Sequence, residues 1–264
     1  MTQNKIDLQE IKAFLIGAGA EESPEAAVIL GSGLGGFADS IENRRAISYS
    51  RIPGFPSTSV KGHSGELISG SVNGFKIMAF SGRFHHYEGH DFATTILPVS
   101  VAGALGAKKL IISNAAGAIN RTFEVGDLMA IEDIIRPIGA VFPLRGERFR
   151  FAQQGSAARV ARIGAEAGLF IRTGTYIYAK GPNYETKAEV RAFRRLNADV
   201  AGMSTAPEMM EASRLGLKTA AVSLVTNMAA GVLRQKLDHE EVKSIAEKKK
   251  EGFAKLVNAL IEKF

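Results

Sequence analysis

The chain has 264 residues, with 33 Lys+Arg against 27 Asp+Glu for a formal net charge of +6, and 45% of its residues are hydrophobic but only 8% aromatic. That is the balance of a soluble globular protein, of one domain rather than two. No apolar run reaches the roughly 18 residues of a membrane span, and Met1-Thr2-Gln3-Asn4-Lys5-Ile6-Asp7 lacks the pattern of an export signal, so a cytoplasmic location is expected; with no cysteine there is no disulfide, thiolate nucleophile or thiolate metal site.

From Asp7 to Ala18 the apolar residues recur at helical spacing, and Ala26–Leu30 follows as an apolar run of strand length. This begins an alternation of strands and helices that argues for an α/β sheet. Gly31-Ser32-Gly33-Leu34-Gly35-Gly36 comes directly after that strand and before a helical pattern starting near Phe37. Glycines in such a turn let backbone N–H groups crowd around an anion. The spacing also matches a dinucleotide-binding fingerprint, but that fingerprint wants an acidic residue about 20 positions on, where Tyr49, Ser50 and Arg51 stand. NAD binding is thereby disfavoured, leaving a phosphate-facing hydroxyl at Ser32 or a plain tight turn.

A strand over Lys76–Phe80 leads into Gly82-Arg83-Phe84-His85-His86-Tyr87-Glu88-Gly89-His90. Arg83 and His85 combine a permanent cation with a titratable donor, which suits an oxyanion. A metal set of His86, Glu88 and His90 is the alternative, but it lacks the helical HExxH spacing. Any single histidine reads as a surface or hydrogen-bonded residue; four of the five lie between 63 and 90, His63 included, and that clustering favours a site.

Further buried strands are expected at Lys109–Ser113, Leu128–Ile131, Thr175–Ala179 and Lys218–Thr226. Gly139–Gly155 reads as a basic surface loop, with Arg145, Arg148 and Arg150 among Phe142, Phe149 and Phe151; a solvated connection is favoured over an active-site flap. Small or polar residues are expected directly after strands at Ser113–Ala118, Lys180–Thr186, Gly202–Thr205 and Val225–Asn227. In an open α/β sheet such strand ends share one crevice. There Ala115, Ala116 and Gly117 admit a flat ligand or an anion, Tyr184 stacks on a ring, and Glu185 and Asn227 read polar edges. Each also has a bland reading as a turn, a helix cap or a satisfied buried amide.

Val242, Ile245, Phe253, Leu256, Val257, Leu260 and Ile261 form one apolar stripe of a last helix, His239–Phe264, which reads as core packing. The pI of about 9.5 raises a nucleic-acid partner, but the densest basic run, Lys248-Lys249-Lys250, lies beside Glu247 and Glu251 on that helix. The spread of charge fits a small anionic substrate as well, and no nucleic acid is expected.

Taken together, Gly31–Gly36, Gly82–His85, Tyr87–Gly89, Asn114–Gly117, Phe123–Asp127, Gly181–Thr186, Gly202–Thr205, Thr226-Asn227 and His239–Val242 resemble, in the same order, the trimeric purine nucleoside phosphorylases. The resemblance implies one α/β domain over residues 1–264, with a central twisted mixed β-sheet flanked by helices. It implies phosphorolysis of a purine nucleoside to free base and α-ribose 1-phosphate in a homotrimer. Inorganic phosphate is then the co-substrate, and no metal or organic cofactor is needed.

By the same resemblance, Ser32, Arg83, His85, the Ala115 N–H and Ser204 hold phosphate, with His63 beside it. Tyr87, Met203 and His239 contact the ribose. The base lies against Ala116, Gly117, Gly202 and Tyr184, where relatives usually carry phenylalanine, and is read by Glu185 and Asn227. The catalytic residues are His85, Glu185 and Asn227. An amide at 227 both donates and accepts, which suits a 6-oxopurine, whereas methylthioadenosine phosphorylases of the same superfamily carry aspartate there. Inosine, guanosine and their deoxy forms are therefore the expected substrates, with methylthioadenosine or xanthosine as the alternatives. The chain departs from the family between Pro143–Gly146 and Gly174–Tyr176: Glu147–Ala158 is shorter and rewritten, and it falls where relatives place a phenylalanine that reaches a neighbouring subunit's ribose site. Phe149 and Phe151 are the aromatic residues nearest that place.

Overall fold

The computed structural model describes residues 7–31, 35–56, 64–136, 155–233 and 239–264, the side chains of 239–243 excepted. The first six residues, Ser32 with its neighbours Gly33 and Leu34, His63, most of the 139–155 loop and the side chains of His239 and Val242 therefore lie outside the described residues.

Strand β1 (Ala26–Leu30) is buried along its whole length, because its two faces feed two different cores. Ala27 and Ile29 pack with Ile11 and Leu15 of helix α1 (Leu8–Gly17) and with Val99, Val101 and Ala102 of α3 (Leu97–Ala104). Ala26, Val28 and Leu30 pack with Val160 and Ile163 of α4 (Ser156–Glu166) and with Phe253, Leu256, Val257, Leu260 and Ile261 of α7 (His239–Lys263). Side chains alternate across a strand, so an uninterrupted apolar run is what a sheet covered on both faces requires. Asp7 is the N-cap of α1 rather than its first residue, its carboxylate accepting from the N–H groups of Gln9 and Glu10.

The remaining strands are β2 (Glu42–Ser48), β3 (Glu66–Val72), β4 (Phe75–Ser81), β5 (Lys109–Ala118), β6 (Leu128–Ile135), β7 (Ile171–Tyr178), β8 (Val200–Gly202) and β9 (Lys218–Met228). They form one mixed sheet in the order β2-β3-β4-β1-β5-β8-β7-β6-β9. A further parallel pairing of β9 with β5 closes the second half of the sheet into a ring. The short helices α2 (Phe92–Thr95), α5 (Lys187–Arg195) and α6 (Ala206–Arg214) complete the structure.

Three strands escape a reading by apolar runs. β2 is an edge strand whose first five residues are exposed, β3 carries Ser69, Gly70 and Ser71, and β8 has only three residues. The helical pattern near Phe37 forms a short 3-10 helix, Gly35–Ser40, with Phe37 and Ala38 turned inward. A more consequential correction concerns the strand ends: Ser113–Ala118 lies within β5, Gly202 within β8, and Thr226 and Asn227 within β9. The strands run on because β5 finds two partners there, β9 in parallel and β8 antiparallel at Gly117 and Ala118. The small residues of this stretch line a cavity from the strand itself.

Candidate active site

The C-terminal halves of β5, β8 and β9 and the segments leaving β4 and β7 converge on one cavity of about 120 Å³. Arg83, His85, Tyr87, Ala115, Ala116, Gly117, Tyr184, Glu185, Gly202, Met203, Ser204 and Asn227 line it, together with Ala201 and Thr226. Every described cavity residue expected from the sequence is thus brought to one place.

At the buried end stands Arg83, two residues beyond β4 and only 2% exposed. Its Nε donates to Glu208 Oε1 at 2.9 Å, one terminal nitrogen to Ser204 Oγ at 3.2 Å, and the other to the Ser113 carbonyl at 2.7 Å. Gly31 is required close by, because a Cβ there would stand 2.7 Å from the Ser113 carbonyl oxygen and 3.1 Å from an Arg83 terminal nitrogen. Burial pushes the Glu208 carboxyl up, and the adjacent Arg83 opposes that shift.

Ser204 is held from below by Tyr176 of β7. The phenol accepts from the Ser204 N–H at 3.1 Å and donates to the Ser204 carbonyl at 3.2 Å. Thr205, which follows, has φ 55° and ψ −46° and closes a γ-turn from the Ala206 N–H to the Ser204 carbonyl. That is a strained conformation for a β-branched residue. The buried Asn114 amide holds it by donating to Thr205 Oγ1 at 2.9 Å. The turn aims Ser204 at the cavity just ahead of the N-terminus of α6, where the helix dipole favours negative charge.

His85 stacks on Tyr87, with ring centroids 4.7 Å apart and planes 18° from parallel. Its Nδ1 donates to Glu88 Oε1 at 2.7 Å, and the same carboxylate accepts from the His85 N–H at 2.9 Å. Glu88 is thereby turned to His85, while His86 Nδ1 donates to the His90 carbonyl, so these residues orient a loop rather than converge on an ion. Burial raises the Tyr87 hydroxyl to about 12, which keeps it protonated at neutral pH. Tyr87 and Met203 meet over Gly181: at φ 66°, a Cβ on that glycine would lie 2.5 Å from Met203 Sδ and 2.8 Å from Tyr87.

The opposite end is built around a bulge. β5 and β9 pair in register up to Ala116–Val225, then slip so that Gly117 faces Asn227 and Thr226 is extra. The bulge turns Asn227 into the cavity, 8% exposed. Its Oδ1 accepts from Thr226 Oγ1 at 3.1 Å and its Nδ2 donates to the Met228 carbonyl at 3.2 Å, leaving the amide one further N–H and one further lone pair. A Cβ on Gly117 would sit 3.0 Å from Asn227 Nδ2, so glycine keeps this wall flat. Tyr184, 42% exposed, and Glu185 come from the loop before α5, which Thr186 caps. Burial raises the Glu185 carboxyl.

Reading the sequence by residue type and strand end misses Tyr176 and Glu208, and takes Thr205 only as part of the Gly202–Thr205 segment. Glu208 in the first turn of a helix beginning Ala206-Pro207 reads only as a favourable helix charge, and a buried tyrosine reads only as core.

The cavity thus joins a floor with a buried arginine to a flat, polar-edged slot. Residues 25–262 match the family model of the phosphorylase superfamily. The chain is 41% identical over 269 residues to purine nucleoside phosphorylase 1 of Bacillus subtilis (strain 168), covering 98% of this chain and 99% of that protein. Crystal structures of Schistosoma mansoni purine nucleoside phosphorylase with adenosine and with inosine superpose with a TM-score of 0.86 at 34% and 33% identity, each covering 97% of this chain and 96% of the other. With sequence and fold in agreement along nearly its whole length, the chain belongs to the phosphorylase superfamily and, within it, to the enzymes of the purine nucleoside phosphorylase family.

Proposed function

We propose that the protein catalyses the reversible phosphorolysis of 6-oxopurine nucleosides, inosine, guanosine and their deoxy forms, to the free base and α-ribose 1-phosphate. The observation that carries this reading is the placement of Asn227 and Glu185 at one end of a cavity whose other end is floored by Arg83, His85 and Ser204. In this reading a phosphate oxygen attacks the anomeric carbon as the bond to N9 breaks and its electron pair moves into the purine. Arg83, His85, Ser204 and the Ala115 N–H hold the phosphate, and the resemblance assigns Ser32 and His63, outside the described residues, to the same role.

The reaction places positive charge on the sugar and negative charge on the base, so groups that meet those charges only in the transition state accelerate it. Phosphate beneath the ribose offsets the first. Asn227 hydrogen-bonds N7 and O6 as the base gains electrons, and Glu185 accepts from N1–H. Tyr87 and Met203 contact the ribose, to which the resemblance also assigns His239, and Tyr184 with Ala116, Gly117 and Gly202 confines the base. Inorganic phosphate is the sole co-substrate, and the resemblance to trimeric enzymes supports a homotrimer.

The test is base release from inosine with and without phosphate, with adenosine and methylthioadenosine in parallel. Phosphate-dependent formation of hypoxanthine and ribose 1-phosphate is expected. Preferred cleavage of adenosine or methylthioadenosine would overturn the reading of Asn227, and release without phosphate would overturn phosphorolysis.

A further inference from the structure

Three nitrogens of one buried guanidinium reach three separate parts of the chain, and of the three partners only Ser204 lines the cavity. Arg83 spends its terminal nitrogens on Ser204 Oγ and the Ser113 carbonyl, while its Nε is committed to Glu208 Oε1 at 2.9 Å. Both members of the pair are 2% exposed, so neither charge is offset by water and each must be met by the other. Glu208 Oε2 is buried without a hydrogen-bond partner among the described residues. One carboxylate oxygen thus orients Arg83, while the charge of Glu208 also acts on the neighbouring His85 and the Thr205 backbone.

We propose that Glu208 is a positioning residue of the phosphate site with two opposed effects: its hydrogen bond fixes the fork of Arg83, and its charge competes with the incoming oxyanion for the same cation. This inference rests on Arg83 being a phosphate ligand, as the proposed function has it. The hydrogen bond makes the site selective for an oxyanion at one place. The charge keeps the site from holding phosphate so firmly that the reverse reaction and product exchange are slowed.

Two substitutions separate the effects, because Glu208→Gln keeps an acceptor for Arg83 Nε without the charge, and Glu208→Ala removes both. Calorimetric titration of each full-length variant with inorganic phosphate, alongside steady-state KM values for phosphate and inosine, reads the outcome. Glu208→Gln is expected to bind phosphate about tenfold more tightly and Glu208→Ala about tenfold more weakly, each being about 1.4 kcal/mol. KM for inosine is expected to stay within about twofold in both, since the pair lies away from the base end and independent sites do not couple. Unchanged or weaker phosphate binding in Glu208→Gln overturns the competition, and equal losses for phosphate and inosine in Glu208→Ala reduce Glu208 to a structural role. Should Glu208→Ala not fold, Glu208→Asp, one methylene short of Nε, is expected to weaken phosphate binding, and wild-type affinity there overturns the positioning. Arg83→Lys tells this failure from failure of the underlying reading: if phosphate affinity survives that change intact, Arg83 is not a phosphate ligand.

Discussion

The two ends of the cavity are built in opposite ways. At the Arg83 end cavity groups are gripped from behind by buried side chains, Arg83 by Glu208 and the Ser204 backbone by Tyr176, and the adjoining Thr205 is held by Asn114. At the base end Asn227 is held, among the described residues, by its neighbours Thr226 and Met228, and the exposed Tyr184 and half-buried Glu185 stand on a loop. A small, compact anion needs donors fixed in advance, and fixed donors require buried second partners. A flat nucleoside must enter and leave, so its contacts come from a loop and from one edge of a bulged strand. Substitutions of the cavity residues at the first end should therefore cost stability and phosphate affinity together, whereas those at the second should change substrate choice at little cost to the fold.

The sharpest break would come from Arg83→Ala, which strands the buried Glu208. Removing one member of a buried pair costs about 3–5 kcal/mol; kcat/KM for phosphate should fall by about a thousandfold, and the melting temperature should drop with it. A normal phosphate dependence in initial-rate assays would refute the contrast. Next in size is Asn227→Asp, expected to reduce inosine kcat/KM by about a hundredfold or more and to raise adenosine cleavage, with melting little changed. Inosine turnover that stays intact without any gain on adenosine would remove Asn227 from base reading.

Glu185 sharpens the comparison through pH. Burial raises its carboxyl, so protonation begins at a higher pH than for an exposed glutamate. Because the ionised form is the acceptor for N1–H, inosine kcat/KM should fall as pH is lowered through that raised value. Glu185→Gln should abolish this acid limb and cost about tenfold at neutral pH. A limb unchanged in the variant would assign it elsewhere. The smallest expected effect is that of Tyr176→Phe, which deletes two hydrogen bonds to the Ser204 backbone. Calorimetry should show a loss of about 1–3 kcal/mol, and phosphate KM should rise several-fold with inosine KM unmoved.

Much of the cavity is legible in the amino-acid sequence. Gly82-Arg83-Phe84-His85, Tyr184-Glu185 and Asn227 stand out because their types are rare in a core yet sit beside apolar runs. Why they point where they do is not legible there. The bulge at Thr226 leaves no mark in the sequence, since it arises from a register slip between β5 and β9. Tyr176 and Glu208 lie far in sequence from the residues they hold, and a period-2 or period-3.6 pattern says only that they are buried or helical. Apolar runs also end β5 at Ser113 and β9 at Thr226, because small residues and glycine look like turn residues until partner strands are seen to pair with them.

Local periodicity and side-chain chemistry, which a linear chain displays, suffice for the α/β class, the doubly covered strands β1, β4 and β9, and the amphipathic α1 and α7. They also suffice for the residue types able to meet an anion and a base. The sheet order, the closure of β5 on β9, the short antiparallel β8, and the buried contacts of Arg83 and Ser204 come from the tertiary structure alone. Those depend on pairs of residues up to 125 positions apart, as between Arg83 and Glu208. Burial and hydrogen bonding can select such pairs only once the chain has folded around them.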